Sequence, residues 1–275
     1  MFTLNCKGRL LVLDQPIVMG IINITPDSFY SGSRSGSIDE ILLRAEKMIN
    51  DGAAIIDIGG QSTRPNSNQI PAEEEMERVL PAIEAIHHKF PEQVISVDTF
   101  YSKVAREAVR AGASIVNDVS AGTMDDDLLS TVAELKVPYV LMHMLGKPQN
   151  MQQNPEYKNV TLEVFDFLNF KIAELVKIGI HDIVVDVGFG FGKTATHNFQ
   201  LLRELSYFKQ LGKPVMVGLS RKATIYKTLD IAPEEALNGT TVLHTIALLN
   251  GAGILRVHDA KEAVQVVKLF SAYKK

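Results

Sequence analysis

The residues able to do chemistry in this chain close short apolar runs. Asn23 and Thr25 end the first. Asp57 lies in the second, which continues into Gly59-Gly60-Gln61-Ser62-Thr63-Arg64-Pro65. Asp98, Asn117, Asp186 and Lys222 end later runs, and Arg256 and His258 end the last. A carboxylate or ammonium at a buried strand end is costly without partners. One such residue is ordinarily half of a structural ion pair, but seven run ends of this kind point to a single polar pocket. Asp98, Asn117 and Asp186 offer acceptors and an amide, which suit a flat heterocycle with several N–H donors, such as an aminopyrimidine ring. Lys222 suits the carbonyl oxygen of that ring. Arg64, Arg256 and His258 suit a phosphate-type anion. Asn23 can give an oxygen to Mg2+, a cation that commonly keeps waters and substrate phosphates as its other ligands.

The elements that must position these residues follow a repeating pattern. Eight apolar, β-branched runs occur at 17–25, 54–60, 94–100, 114–120, 138–144, 182–188, 214–222 and 253–259. Near-continuous hydrophobicity is the pattern of parallel strands buried on both faces. Helix-like stretches separate them. Ser37-Ile38-Asp39-Glu40 reads as a capping box opening one helix, and Pro71-Ala72-Glu73-Glu74-Glu75 opens the next, with Met76, Val79, Leu80, Ile83 and Ile86 as its apolar face. Gly112, Gly179, Gly212 and Gly251 read as helix stops. The alternation predicts a (β/α)8 TIM barrel in one domain over 1–275, with a doubly wound open sheet as runner-up. In a barrel the polar run ends would meet at the C-terminal face. Faces alternate along a strand, so Ser220 shares a face with Lys222, Arg256 with His258, and Ser96 with Asp98. Residues 2–13 read as a hairpin turning at Lys7-Gly8 and closing the barrel's bottom.

Other features take plainer readings. Gly188-Phe189-Gly190-Phe191-Gly192-Lys193-Thr194 invites comparison with a phosphate-binding P-loop, but Val187 stands where that motif needs its first glycine, so the stretch reads as a pliable strand-to-helix loop. Asp57 reads as supporting or structural rather than catalytic. His143, between two methionines, reads as core, and the Glu73–Glu75 run as a solvated first turn. His181, His197 and His244 show no partner, and Cys6 reads as inert. Residues 236–255 lack Asp, Glu, Lys and Arg, yet Asn238, Thr240, Thr241, His244, Thr245 and Asn250 interrupt them, which favours a buried core helix over a membrane span. Sequons at Asn23, Asn159 and Asn238 read as chance matches.

Composition narrows the function class. Hydrophobic residues make up 46% and charged residues 22% of 275, ordinary globular values that argue against disorder. Acidic residues number 32 and basic residues 28, a net charge of −4; with a pI near 6.0, this argues against a dedicated nucleic-acid or acidic-membrane binder. One cysteine excludes an intrachain disulfide and any multi-cysteine metal cage. Together with the lack of a recognisable signal peptide, it predicts a cytoplasmic protein.

The run ends also carry a resemblance. GIINITPDSF (20–29), GGQSTRP (59–65), ISVDT (95–99), NDVS (117–120), LMHM with MQQNP (141–144, 151–155), DVGFGFGK (186–193), SRK (220–222) and RVHD (256–259) occur in order. In these segments the chain resembles the dihydropteroate synthase family of the folate pathway over nearly its whole length. The resemblance implies a TIM barrel, usually a homodimer. It also implies a reaction joining 6-hydroxymethyl-7,8-dihydropterin diphosphate to 4-aminobenzoate, with diphosphate and 7,8-dihydropteroate as products. By motif, Asp98, Asn117, Asp186 and Lys222 would hold the pterin with Met142 lining its pocket. Asn23 would meet Mg2+, and Thr63, Arg256 and His258 would bind diphosphate. Phe29, Arg64 and Pro65 would help enclose the aminobenzoate from two loops. Ser220 joins the implied substrate-binding set; Asn23, Arg64, Lys222, Arg256 and His258 form the implied catalytic set.

Three positions depart from the family pattern. Ser31 stands where the first loop usually carries a carboxylate, Ala223 where many relatives have Ser, and Val187 where Pro follows the strand-six Asp. Rival readings are a pterin-dependent methyltransferase working with a corrinoid partner, an enzyme using Lys222 as a Schiff-base lysine, and a catalytically silent pterin-binding paralogue, which Ser31 supports best.

Overall fold

The computed structural model describes residues 1–24, 34–61, 69–146, 151 and 155–275, with residues 34–37 described by backbone. Thr25, Phe29, Ser31, Thr63, Arg64 and Pro65 lie outside the described residues.

Two antiparallel strands come first, β1 (Phe2–Cys6) and β2 (Arg9–Leu13). Their turn places Lys7 and Gly8 at φ 54° and 89°, the left-handed region that glycine adopts without steric cost. Eight parallel strands follow: β3 (Ile17–Asn23), β4 (Ile55–Gly59), β5 (Val94–Asp98), β6 (Ile115–Asp118), β7 (Tyr139–Met142), β8 (Ile183–Asp186), β9 (Val215–Val217) and β10 (Ile254–Val257). They close in sequence order, with β10 pairing both β3 and β9. This is the predicted TIM barrel with its hairpin; the open sheet is excluded because it would leave two edges.

The helices are α1 (Arg34–Asp51), α2 (Ala72–Lys89), α3 (Ser102–Ala111), α4 (Leu128–Leu135), α5 (Val160–Lys177), α6 (Ala195–Arg203), α7 (Ala223–Leu229), α8 (Leu237–Leu249) and α9 (Ala260–Tyr273). They ring the barrel and bury its outward strand residues in one large apolar cluster that includes Ile56, Val97, Val116, Leu141 and Leu255. Gly112, Gly179, Gly212 and Gly251 all have positive φ at or just past a helix or 3-10 turn end. Asn159 caps α5, its side chain accepting from the backbone N–H groups of Thr161 and Leu162.

Inside the barrel the lowest layer is apolar. Met19, Ile55, Val94, Ile115, Val140, Val184, Met216 and Ile254, one from each strand, pack on Leu4, Cys6 and Leu13 of the hairpin. The hairpin thus plugs the bottom, as its sequence predicts. Surface bonds hold it there: Asn5 N–H donates to Asp182 at 3.2 Å and Lys7 Nζ to the Val109 carbonyl at 2.8 Å. Burial pushes the Cys6 thiol up to about 12, which keeps it protonated and unreactive.

Several expectations need correction. Helix α1 already runs at Arg34, so Ser37 lies inside it and opens no capping box. The run 214–222 contains only a three-residue strand, so strand alternation cannot relate Ser220 to Lys222. Helix α8 buries one face while Val242, Ile246 and Leu249 stay exposed, so it is not a fully buried core helix. Among the described residues no helix is long and apolar enough to cross a membrane. Glu73 and Glu74 are exposed as expected, but Glu75 is fully buried. The helical period turns it inward beside Val79.

Candidate active site at the C-terminal mouth of the barrel

One step up each strand decides the site. Inward positions repeat every two residues. Two residues beyond the apolar floor stand Ile21, Asp57, Ser96, Asn117, Met142, Asp186, Gly218 and Arg256. Two further on β3, β4, β5 and after β10 stand Asn23, Gly59, Asp98 and His258. The expected convergence is therefore real for Asn23, Asp57, Asp98, Asn117, Met142, Asp186, Arg256 and His258. Gly218 was not anticipated. A Cβ built there would lie 3.9 Å from Asp186 Oδ2, so the missing side chain leaves space beside that carboxylate.

On one side Arg256 organises the acids. Its Nε donates to Asp57 Oδ2 at 2.7 Å, and a terminal nitrogen donates to Asp98 Oδ2 at 2.5 Å. Asn117 Nδ2 also donates to Asp57 Oδ2, at 3.1 Å. Asp57 thus fixes two neighbours from below, which agrees with a supporting role. Burial opposes the Arg256 cation, and Asp57 and Asp98 more than offset it, holding its pKa above the usual arginine range. Burial pushes the Asp98 carboxyl up to about 7 against the pull of Arg256, with Asp57 adding to the rise.

On the other side Asp186 faces Lys222. Asp186 Oδ1 accepts from the Gly188 N–H at 2.7 Å. Burial raises its pKa, while Lys222 and then Arg256 and Lys193 oppose the rise. Burial lowers Lys222 to about 8, chiefly against the attraction of Asp186. Lys222 Nζ donates to the Phe189 carbonyl and lies 4.5 Å from the centre of the Phe191 ring. Met142 forms an apolar wall with Phe100 and Val119, against which Phe191 packs. An ammonium occupied in this way and set beside a carboxylate is a hydrogen-bond donor to a polar ring; its engagement with Phe189 disfavours the Schiff-base reading.

At the rim, Lys222 is the residue before α7 and makes no side-chain cap bond. Ser220 Oγ accepts from the His258 N–H at 3.2 Å, tying the end of the β9 segment to the end of β10. His258 itself is exposed at the mouth. Arg221, between Ser220 and Lys222, turns away at φ 52° and pairs with Asp259 at 2.8 Å.

For a metal the described donors are few. No cluster of three or more His, Cys, Asp or Glu residues able to hold an ion occurs among the described residues. Asn23 Oδ1 and Asp98 stand together over the Gly59 backbone: a Cβ there would come within 3.3 Å of Asn23 Oδ1, 3.5 Å of Asp98 Cβ and 3.7 Å of Asp98 Oδ2. An amide oxygen with a carboxylate oxygen nearby fits a Mg2+ that takes most of its ligands from water and a phosphate-bearing substrate. Two features escaped the sequence reading. One is Glu75, a fully buried carboxyl that feels the Asp98 charge. The other is a buried pair, Lys193 and His143. Neither follows a strand-end pattern, so periodicity carried no signal for them.

Similarity to known proteins agrees with this geometry. The family model described as "Pterin binding enzyme" matches residues 19–258. A dihydropteroate synthase of Haemophilus influenzae is 42% identical over 98% of each chain, and one of Escherichia coli is 42% identical over 98% of this chain and 95% of its own. Among solved structures, a Xanthomonas albilineans dihydropteroate synthase with 4-aminobenzoic acid superposes with a TM-score of 0.91 at 41% identity, over 99% of this chain and 98% of that one. The same enzyme with 7,8-dihydropteroate gives 0.89 at 39% identity over 99% of each. A Yersinia pestis dihydropteroate synthase with a sulfonamide drug complex gives 0.92 at 38% identity over 99% of each.

Proposed function

We infer residue roles from one premise: the chain belongs to the pterin-binding enzymes and, within them, to the dihydropteroate synthases. Its reaction joins 6-hydroxymethyl-7,8-dihydropterin diphosphate to 4-aminobenzoate, forming 7,8-dihydropteroate and diphosphate. The C–O bond to diphosphate breaks, a C–N bond forms to the arylamine, and that nitrogen loses a proton. An arylamine is largely neutral at pH 7, so positioning and charge stabilisation do most of the work.

In our reading Asp186 accepts paired N–H bonds from the aminopyrimidine edge, while Lys222 donates to the ring carbonyl. Asn117 and Asp98 complete the polar border, and Met142 lies against a ring face. The observation that carries this is the set of buried Asp98, Asn117 and Asp186 with half-buried Lys222 around one mouth, with no side chain at Gly218 to fill it. Arg256, aimed by Asp57 and Asp98, and His258 at the rim receive the diphosphate. Asn23 would hold Mg2+, which when bound supplies positive charge to the departing diphosphate. Thr63 would also meet diphosphate, and Phe29, Arg64 and Pro65 would enclose the aminobenzoate; all four lie outside the described residues. Arg64 belongs to the catalytic set on the same basis.

Supplying both substrates should yield dihydropteroate with release of diphosphate, and chelation should abolish it. Turnover unchanged by complete chelation would remove Mg2+ from the reading, and no turnover at all would favour a silent paralogue. Residues 1–275 act as one unit in this reading, supported by the hairpin packed beneath the barrel. We place it in the cytoplasm on its single buried cysteine. A homodimer is supported by the exposed Val242, Ile246 and Leu249 of α8 beside Leu269 and Tyr273 of α9; a monomer mass in sedimentation at micromolar concentration would sink it.

A further inference from the structure

The segment 188–193 is not the pliable loop its glycines suggest. Gly188 and Gly192 allow close approaches that any Cβ would block, and Gly190 makes a tight one. A Cβ on Gly188 would sit 1.9 Å from the His143 carbonyl oxygen, one on Gly192 2.5 Å from the Leu145 carbonyl, and one on Gly190 3.3 Å from the Lys222 side chain. The segment is therefore pressed against the chain leaving β7. At its end Lys193 turns back into the protein and is 2% exposed. Its Nζ lies 2.9 Å from His143 Nδ1, 3.0 Å from the Phe191 carbonyl and 3.3 Å from the His143 carbonyl. An ammonium has three protons to donate, and here there are three acceptors.

We propose that Lys193 is a positioning residue for the pterin site: its ammonium clips the segment carrying Phe189 and Phe191 onto His143 and sets a second buried positive charge beside Asp186. This rests on the pterin reading of that site. The clip acts through the segment on Lys222, whose ammonium donates to the Phe189 carbonyl and faces the Phe191 ring. It also requires one state of His143, with Nδ1 bare as an acceptor and the ring proton on Nε2. The ring is held in place, with Phe167 packed edge-on at 4.9 Å and Tyr157 at 6.1 Å, and the Tyr157 hydroxyl donates to the Gly192 carbonyl at 2.9 Å.

The charged groups acting on Asp186 are Lys222 after β9, Arg256 on β10 and Lys193. His143 contributes no charge, since burial and then Lys193 push it down to about 3. Burial also lowers Lys193, to about 7, with Asp186 opposing that fall and Lys222 adding to it. Removing the Lys193 cation takes away one of three fields that favour the Asp186 carboxylate, so Asp186 should protonate at higher pH.

The test is calorimetric titration of wild type and Lys193→Met with 6-hydroxymethyl-7,8-dihydropterin diphosphate across about pH 5–9, with 15N NMR of the His143 ring in the free proteins. We expect at least about a tenfold loss of affinity at neutral pH and an acid limb that moves to higher pH in Lys193→Met. In wild type, Nδ1 should be unprotonated and Nε2 protonated down to about pH 4. Equal affinity with an unmoved acid limb, or a wild-type ring protonated on Nδ1, would overturn the proposal. A wild type that does not bind the pterin would sink the functional reading instead, and the ring-nitrogen assignment would still decide the clip. Should Lys193→Met not fold, the wild-type NMR result decides it alone.

Discussion

The floor and the mouth of this barrel are built from the same eight strands, two residues apart, and have opposite chemistry. The floor is a ring of Met, Ile and Val sealed by Leu4, Cys6 and Leu13, with no polar side chain to satisfy. The mouth is a ring in which Asp, Asn, Arg and Ser stand among Ile21, Met142 and Gly218. There Asp57 Oδ1 and Ser96 Oγ are buried with no hydrogen-bond partner among the described residues. Burial is comparable at the two levels, so burial alone does not distinguish them. The difference is that the floor is packed apolar surface, whereas the mouth holds buried polar atoms left unpaired among the described residues.

The sharpest way to break that contrast is to remove the one cation that spans the mouth. Arg256→Ala leaves Asp57 and Asp98 buried without their partner. It should abolish turnover and cost about 3–5 kcal/mol of stability, read by urea unfolding and by diphosphate release. A variant as stable as wild type would show that the two acids shed their charge freely. At the floor, Leu4→Ala should cost about 2–5 kcal/mol with KM unchanged for both substrates. A shifted KM would mean that the plug shapes the mouth. Asp186→Asn should leave the fold intact and weaken pterin binding by about 1.5–3 kcal/mol, because an amide turns one acceptor into a donor. Wild-type affinity by calorimetry would refute the assignment.

The effect that is smallest per step of the measured variable concerns pH. Burial, with Asp98 nearby, pushes Glu75 up to about 8 in the folded protein, against a hydrogen bond with Thr99 and the charge of Arg78. The unfolded chain releases this proton near the ordinary glutamate value, about 4.3. A raised folded-state pKa stabilises fully below the unfolded value, and that contribution is lost as pH rises towards 8. Stability should therefore decline across this window by at most about 1.4 kcal/mol per pH unit. Glu75→Gln should flatten the decline in urea unfolding at several pH values. An unchanged slope would mean that Glu75 is already ionised in the fold. Cys6, at the floor, should contribute no slope below pH 8.

Much of the mouth was legible because it is periodic. Asp98, Asn117 and Asp186 each end a run of β-branched residues, and a strand's two-residue alternation carries their inward direction. The errors arose where that period stops. Ser220 and Lys222 follow a strand that ends at Val217, so their directions depend on the turn at Arg221 and on His258, a residue distant in sequence. Glu75 shares its composition with two solvated neighbours and differs from them only in which way the helix faces. Lys193 was one residue of a glycine-rich segment until β7 came alongside it.

The order of apolar runs, the helix stops and the identity of the strand-end residues determined the barrel, its plug and the class of ligand, because each rests on local period and side-chain chemistry. Only the tertiary structure decided which charges pair. Arg256 meets Asp57 and Asp98 from 199 and 158 residues away, and Lys193 meets His143 from 50. Such contacts depend on how a closed barrel brings distant strand ends within a few ångströms. The energy of a buried charge depends on those neighbours, not on the residues beside it in the chain.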